Sequence, residues 1–370
     1  TADMTLNANR GIALGPNTGN GSGTIQVTGT NTLTYAGIIA DNPGGSGRLI
    51  KTGTGTLRLQ NSTNTFTGGL TVNGGLVSYS IEDRIGAAPA TPTPASIILN
   101  GGGLRLTLNN MTINANRGIA LGPDGGTGTG TLSVESGRTL TYNGIIADNG
   151  TGSGALEKID TGSVVLGGAN TYSGGTTLTA GTLLVTNTTG SATGSGPVTT
   201  VAGTTLGGNG TVAPTASSSV ILGGTVAPGL TGSAGALNFT PVDGNVTFQS
   251  TSNIVFELFG NGSNDKIVHV ATGGGILDFS AMTAGSLSVV FAGGYTPGLG
   301  HTFDVLDWSG IGGLSTSQLS LSTTGFDPSW IWDMSQFTTN GTLTIVLVPE
   351  PGRGAMAMGG FAVWRMRRRR

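Results

Sequence analysis

Cysteine is absent from all 370 residues, which removes disulfides, thiolate metal sites and cysteine nucleophiles together. Charge is scarce as well: Asp, Glu, Lys and Arg make up 9% of the chain, against about 25% in an average soluble domain. Helical bundles, coiled coils and ordinary cytosolic α/β enzymes need far more Ala, Glu, Lys and Arg, and are excluded on this ground. The lysines are Lys51, Lys158 and Lys266, and each follows Ile, Glu or Asp. A P-loop needs Gly-Lys-[Ser/Thr], so nucleotide binding of that kind is excluded too. Aromatic residues reach 5% and are sparse in the first two thirds, where no base-stacking platform can be built. The formal net charge of −2 falls to −7 without Arg365, Arg367, Arg368, Arg369 and Arg370 at the extreme end. A body of that character offers no basic stripe, and no nucleic-acid partner is expected.

What is abundant is glycine, 69 of 370 residues, and threonine, 57. The glycines follow no three-residue period, which rules out collagen. Self-similarity decides the architecture instead. Met4-Thr-Leu-Asn-Ala-Asn-Arg-Gly-Ile-Ala-Leu-Gly-Pro16 returns at an offset of 107 as Met111-Thr-Ile-Asn-Ala-Asn-Arg-Gly-Ile-Ala-Leu-Gly-Pro123. Between residues 4–59 and 111–166, 35 of 56 positions are identical without a gap. The match continues with a one-residue shift, pairing Asn64-Thr-Phe-Thr-Gly-Gly69 with Asn170-Thr-Tyr-Ser-Gly-Gly175, so residues 4–80 and 111–187 are a duplication.

Inside each copy, short runs such as Gly55-Thr-Leu-Arg-Leu59 and Thr182-Leu-Leu-Val185 alternate apolar with polar or end near Gly or Asn. That period of two is a strand with one face inward. Residues 1–235 show no sustained 3.6-residue periodicity. Short strands at Gly-rich intervals suit a β-solenoid, whose rungs bury their inward Leu, Ile and Val only by stacking; a sandwich or barrel is the competing arrangement. Stacking would set Asn64 and Asn170, with Gly69 and Gly175, at equivalent corners, where the amides can bond along the axis. Leu57, Leu59, Val164 and Leu166 should point inward, with Arg58 and Val165 outward.

Near residue 235 the composition shifts. Nine of eleven phenylalanines lie between Phe239 and Phe337, and three of four tryptophans between Trp308 and Trp332. Residues 236–347 are expected to form a β-rich aromatic cap over the open end of the solenoid, with a carbohydrate-binding platform as the competing reading.

Catalysis on a β-helix scaffold needs paired carboxylates about 5–9.5 Å apart, or a carboxylate with a cationic base. Asp41 and Asp148 recur with their scaffold, which marks them as turn residues accepting backbone N–H bonds. Asp265 with His269, and His301 with Asp304 and Asp307, are the His–acid groupings; spacing supplies no third partner. Asn261-Gly-Ser-Asn-Asp265 is an oxygen-rich turn, but no repeated Gly-Gly-x-Gly-x-Asp series accompanies it. No catalytic residue, metal or cofactor is expected, and the chain reads as non-enzymatic.

Two resemblances add to this reading. Lys51-x-Gly-x-Gly-x-Leu-x-Leu59, followed by Asn64-Thr-Phe-Thr-Gly-Gly69-x-Thr-Val, resembles the autotransporter-associated β-strand repeat. The second copy matches with Lys158, Gly162, Asn170-Thr-Tyr-Ser-Gly-Gly175 and Gly181, and departs at Asp160, where the pattern prefers Gly. This resemblance covers residues 1–235 and implies a right-handed parallel β-helix on a large exported surface protein. Val348-Pro349-Glu350-Pro351, the apolar run Gly354–Trp364 and the arginine cluster Arg365, Arg367, Arg368, Arg369 and Arg370 together resemble a PEP-CTERM sorting signal (residues 348–370). That resemblance implies an exosortase-like processing enzyme, transient inner-membrane anchoring through the tail, and association with exopolysaccharide and biofilm matrix. The apolar run is shorter than the roughly 20 residues a spanning helix needs.

The chain opens at Thr1 without an initiator methionine, so it is expected to be processed or truncated, with any export signal upstream. The resulting expectation is an all-β, exported surface or matrix protein of a Gram-negative-type bacterium: an adhesive or spacer molecule able to self-associate. A carbohydrate-active β-helix lyase or glycosidase, and a passenger fragment of an autotransporter adhesin, are the alternatives.

Overall fold

The computed structural model describes residues 2–215 and 218–348. The Pro349-Glu350-Pro351 motif and the arginine cluster lie outside the described residues.

The chain winds as a parallel β-helix with three faces, each turn laying one short strand or a loop on each face. The first face carries thirteen strands, from Met4–Leu6 to Ile311–Gly312. The second begins with Ile12–Leu14 and Ile39–Asp41, passes two turns without a regular strand (61–67 and the 3-10 turn Glu82–Ile85), and resumes from Met111–Ile113 to Leu319–Leu321. The third holds six strands from Gly19–Gln26 to Ile146–Asp148 and four from Thr211–Val212 to Leu306–Trp308. Rung-to-rung pairing is parallel throughout these faces, for example Leu33 to Leu57 to Val77. At about 4.8 Å per strand, the first face is about 58 Å long.

The inward side chains stack into one continuous core. Leu57, Leu59, Val164 and Leu166 are fully buried, while Arg58 and Val165 between them are half-exposed on the outer surface. Each buried Leu or Val contributes about 1.5–3 kcal/mol relative to an exposed one, and no rung makes that gain without neighbours.

The duplication is not laid down in register with the faces. Met4–Leu6 lies on the first face, whereas its sequence equivalent Met111–Ile113 lies on the second; likewise Gly19–Gln26 is on the third face and Thr127–Val134 on the first. The 107-residue offset thus spans four turns and one third of a fifth, so the second copy presents the same residues one face further round.

The ladder runs on past residue 235: Val246–Phe248, Leu277–Asp278 and Ile311–Gly312 continue the first face in parallel register. The composition shift there marks a change of core side chain, with Phe248 stacked on Phe279 at 4.7 Å between centroids, and the solenoid itself continues through it. The antiparallel closure comes later, in the sheet of Thr302–Asp304, Trp330–Asp333 and Thr342–Leu347. There Phe291, Phe303 and Phe326 surround Trp332 with centroids 5.4–6.0 Å away. The Trp332 indole donates to the Ser322 carbonyl at 2.9 Å. These rings pack against one another at the antiparallel sheet, to which Phe303 and Trp332 themselves belong.

Candidate functional surface

The recurrent polar residues are tied into the rungs. Asn64 is buried: its Oδ1 accepts from the Ile39 N–H at 2.8 Å, and its Nδ2 donates to the Arg84 carbonyl at 2.8 Å. Asn170 does the same between Ile146 N–H (2.8 Å) and the Ala192 carbonyl (2.5 Å). Each amide therefore ties its own turn to the ones before and after, replacing strand hydrogen bonds where the corner interrupts the sheet. Gly69 and Gly175 sit at φ +86° and +94°. A Cβ at Gly69 would lie 2.2 Å from the Ser96 carbonyl oxygen, so both conformation and space call for glycine there.

Lys51 and Lys158 point inward from their strands and are almost wholly buried. The Lys51 ammonium donates to the carbonyls of Thr52 (2.9 Å), Gly53 (2.8 Å) and Gly74 (3.1 Å). Lys158 reaches those of Ile159 (2.8 Å), Asp160 (2.5 Å) and Ala180 (3.1 Å). Each cation thus closes two successive turns with all three of its protons. Burial pushes both amines down to about 8, with the Asp160 carboxylate opposing the shift at Lys158. Asp160 takes the left-handed position, φ +59°, that Gly53 holds at +76° in the first copy. An aspartate tolerates that conformation better than most residues, and its carboxylate accepts from Ser133 Oγ at 2.5 Å.

The two recurrent carboxylates accept backbone N–H groups at their corners. Asp41 accepts from the N–H groups of Gly47 (2.6 Å) and Thr67 (3.1 Å), and Asp148 from those of Gly154 (2.6 Å) and Ser173 (3.0 Å). Asp265 is turned inward from its Asn-Gly-Ser-Asn turn and accepts from Gly235 and Glu257 N–H groups. Burial raises its carboxyl to about 7 against the opposing backbone bonds. His269, also buried, has no hydrogen-bond partner on either ring nitrogen among the described residues, and burial lowers its pKa. The grouping of His301 with Asp304 and Asp307 does not form: His301 Nδ1 meets the Tyr295 hydroxyl, while both aspartates pair with Lys266, Asp304 at 2.5 Å. Burial alone would lower the Lys266 pKa, but the two carboxylates outweigh it and raise it. Among the described residues no three His, Cys, Asp or Glu side chains converge as a metal site, and no helix is long and apolar enough to cross a membrane.

The surface feature that repeats is a column of hydroxyls on the second face. Thr139, Ser163, Thr182, Thr205 and Thr225 are successive ladder partners, followed by Asn253. The hydroxyl side chains are half-exposed and Asn253 is exposed, at the strand spacing of about 4.8 Å. Two residues on, Thr141, Val165, Leu184, Gly207 and Ala227 form a parallel column of mostly apolar or small residues. A shallow groove lined by Asn110, Met111, Thr112, Thr139 and Thr141 opens at its start. Hydroxyls beside apolar strips at fixed spacing suit weak, repeated contacts with an extended polymer. Sequence reading missed this column because it exists only once the rung register is known; the Ser/Thr that opens each of these five strands was the available signal.

Residues 49–78 and 156–185 each match the passenger-associated-transport-repeat. The two matched stretches are 107 residues apart and contain Lys51 and Asn64 in one copy, Lys158 and Asn170 in the other. The chain is also 31% identical over 329 residues to an adhesin autotransporter, BmaC, of Brucella suis biovar 1. That alignment takes in 82% of this chain and 9% of the adhesin, so the chain spans about a tenth of the relative's length. The chain is therefore a repeat protein similar to autotransporter passengers.

Proposed function

We propose that the chain is an exported, non-enzymatic surface protein whose solenoid holds a polar adhesive face at a distance from the cell. The observation that carries this is the hydroxyl column running along an unbroken parallel ladder, in a chain similar to an autotransporter adhesin. Backbone ladders and carbonyl-capped lysines make the rod stiff, and low charge limits its repulsion from matrix polymers. The partners are exopolysaccharide or other matrix components, met through many weak contacts. The test is retention of the full chain on a panel of immobilised polysaccharides. Replacing Thr139, Thr182 and Thr205 together with Val should abolish retention while leaving the melting temperature within a few degrees. Unchanged retention, or polysaccharide cleavage abolished by substituting a single Asp, Glu or His, contradicts the reading.

The residues after Val348 support an export step of their own. Pro349 and Pro351 carry no backbone N–H to donate, and Glu350 between them is the recognition handle. An exosortase-like enzyme would act there while the arginine cluster resists translocation. Released protein should then lack Arg370 by mass spectrometry; intact Arg370 on released chains sinks this step. The similarity to a passenger favours a second reading, a stretch of a larger autotransporter adhesin, in which adhesion is retained and the tail is not cut.

A further inference from the structure

The arginines that are at least half-buried sort by what their guanidinium groups meet. Arg117 pairs with Glu82 at 2.7 Å and Arg105 with Glu135 at 3.2 Å. Arg48 is held by the Leu70 carbonyl (3.3 Å), Thr71 Oγ1 (3.1 Å) and the Ala95 carbonyl (3.0 Å). Arg58 and Arg84 meet no carboxylate among the described residues. Arg58, on the outer surface of the first face, has no hydrogen-bond acceptor among them either. Arg84 donates from Nη1 to Ser80 Oγ, and its Nε is buried without a partner among the described residues. The carboxylates nearby are engaged or turned away: Glu82 serves Arg117, and Asp83 is exposed and joins no ion pair among the described residues.

The ladder sets these two cations side by side. Arg58 is the partner of Ser78, and Ser80, which holds Arg84, lies two residues further along the chain, about 7 Å away. Ser78 sits in the outward column and is nevertheless buried. The Arg84 backbone is fixed by the corner amide of Asn64, which donates to its carbonyl at 2.8 Å. Burial lowers the Arg84 pKa, and the charge of Arg58 lowers it further. Like charges in contact, with N–H groups left unpaired, are unfavourable unless an anion joins them. The fold itself does not need a cation here, because the second copy carries Val165 at the position of Arg58.

We propose that Arg58 and Arg84 form a binding site for the carboxylate of an acidic sugar unit in an extended polysaccharide. This rests on the proposed function and names its partner as a uronate-containing polymer. A guanidinium presents its N–H groups as a planar fork that matches a carboxylate, and two of them satisfy both carboxylate oxygens. The half-exposed hydroxyl of Thr34 stands one ladder step from Arg58, with those of Thr32 and Thr56 on the same face, within reach of the sugar's own hydroxyls. A polyphosphate is the poorer ligand, since its binding draws on many cations along a track, and the body around this pair is net acidic.

The test titrates the full chain with a short oligogalacturonide, its methyl-esterified form and inorganic sulfate, with affinity read by calorimetry. The acidic oligomer should bind, and the esterified form about tenfold more weakly or worse. Arg58→Val and Arg84→Gln should each weaken the acidic oligomer by a similar factor. Neither should lower the melting temperature of the free chain by more than a few degrees, since each removes a repulsion between like charges. Should Arg84→Gln fail to fold, Arg58→Val, the residue the second copy carries, decides alone. Esterified oligomer bound as tightly as the acidic one, or variants that bind like the unmodified chain, overturns the proposal. Sulfate bound as tightly as the acidic oligomer overturns the assignment to a sugar carboxylate. An acidic oligomer that does not bind at all overturns the site, and retention of neutral polysaccharides through the hydroxyl column then shows that the proposed function survives it.

Discussion

At the scale of single residues, stability rests on polar groups that reach between turns. Asn64 satisfies one N–H and one carbonyl that the corner would otherwise leave buried and unpaired. Asn64→Ala should cost about 2 kcal/mol, the usual consequence of stranding buried backbone groups, read as a shifted denaturant midpoint at constant slope. Asn170→Ala should cost the same. The two sites lie 4⅓ turns apart, about 21 Å along the axis, so the double variant should be additive. The lysines set a pH dependence whose sign is unusual for a basic group. Burial holds Lys51 and Lys158 at about 8 in the fold, below the roughly 10.4 of an unfolded lysine. Between those values the unfolded chain binds more protons, so stability rises with pH. Above about pH 10 the buried tyrosines Tyr79, Tyr142 and Tyr172, whose pKa burial raises, reverse the trend. Urea midpoints should therefore climb from pH 8 to 9.5, and the climb should flatten in a Lys51→Met, Lys158→Met variant. A midpoint that falls over this window in the unmodified chain contradicts the assignment.

At the scale of elements, alternation was enough to read the strands. Thr56-Leu-Arg-Leu59 and Ser163-Val-Val-Leu166 put their second and fourth residues inward, because a strand has a period of two whatever it pairs with. Leu59→Asp would bury an unpaired carboxylate in the stacked core, and should cost more than about 4 kcal/mol or prevent folding. A variant that melts like the unmodified chain would mean a different register. Less legible was anything that depends on which turn lies above which. The cover of Arg117 by Glu82 joins residues 35 apart with no repeat partner to signal it. The aromatic stretch after residue 235 was read by composition, which reports the size of core side chains. It does not distinguish a parallel turn such as Val246–Phe248 from an antiparallel strand such as Trp330–Asp333.

For the molecule as a whole, the duplication and the solenoid class were visible in the sequence, since an ungapped 107-residue offset requires one structural unit used twice. The one-third turn in that offset was not visible, because loop lengths vary: successive partners are 29 residues apart at Met4 and Leu33 but 20 at Leu57 and Val77. The hydroxyl column depends on that hidden register, so the proposed adhesive face stands or falls with the ladder. Thr56 and Thr247 lie in one column of the first face, eight ladder steps apart through Leu76, Gly103, Thr131, Glu157, Thr177, Thr199 and Ile221. The chain has no cysteine of its own, so Thr56→Cys and Thr247→Cys can be spin-labelled without background. Pulsed dipolar spectroscopy on that pair should give one narrow distance near 38 Å, eight times the strand spacing of about 4.8 Å. A broad distribution, or a distance below about 25 Å or above about 50 Å, would contradict a continuous parallel ladder.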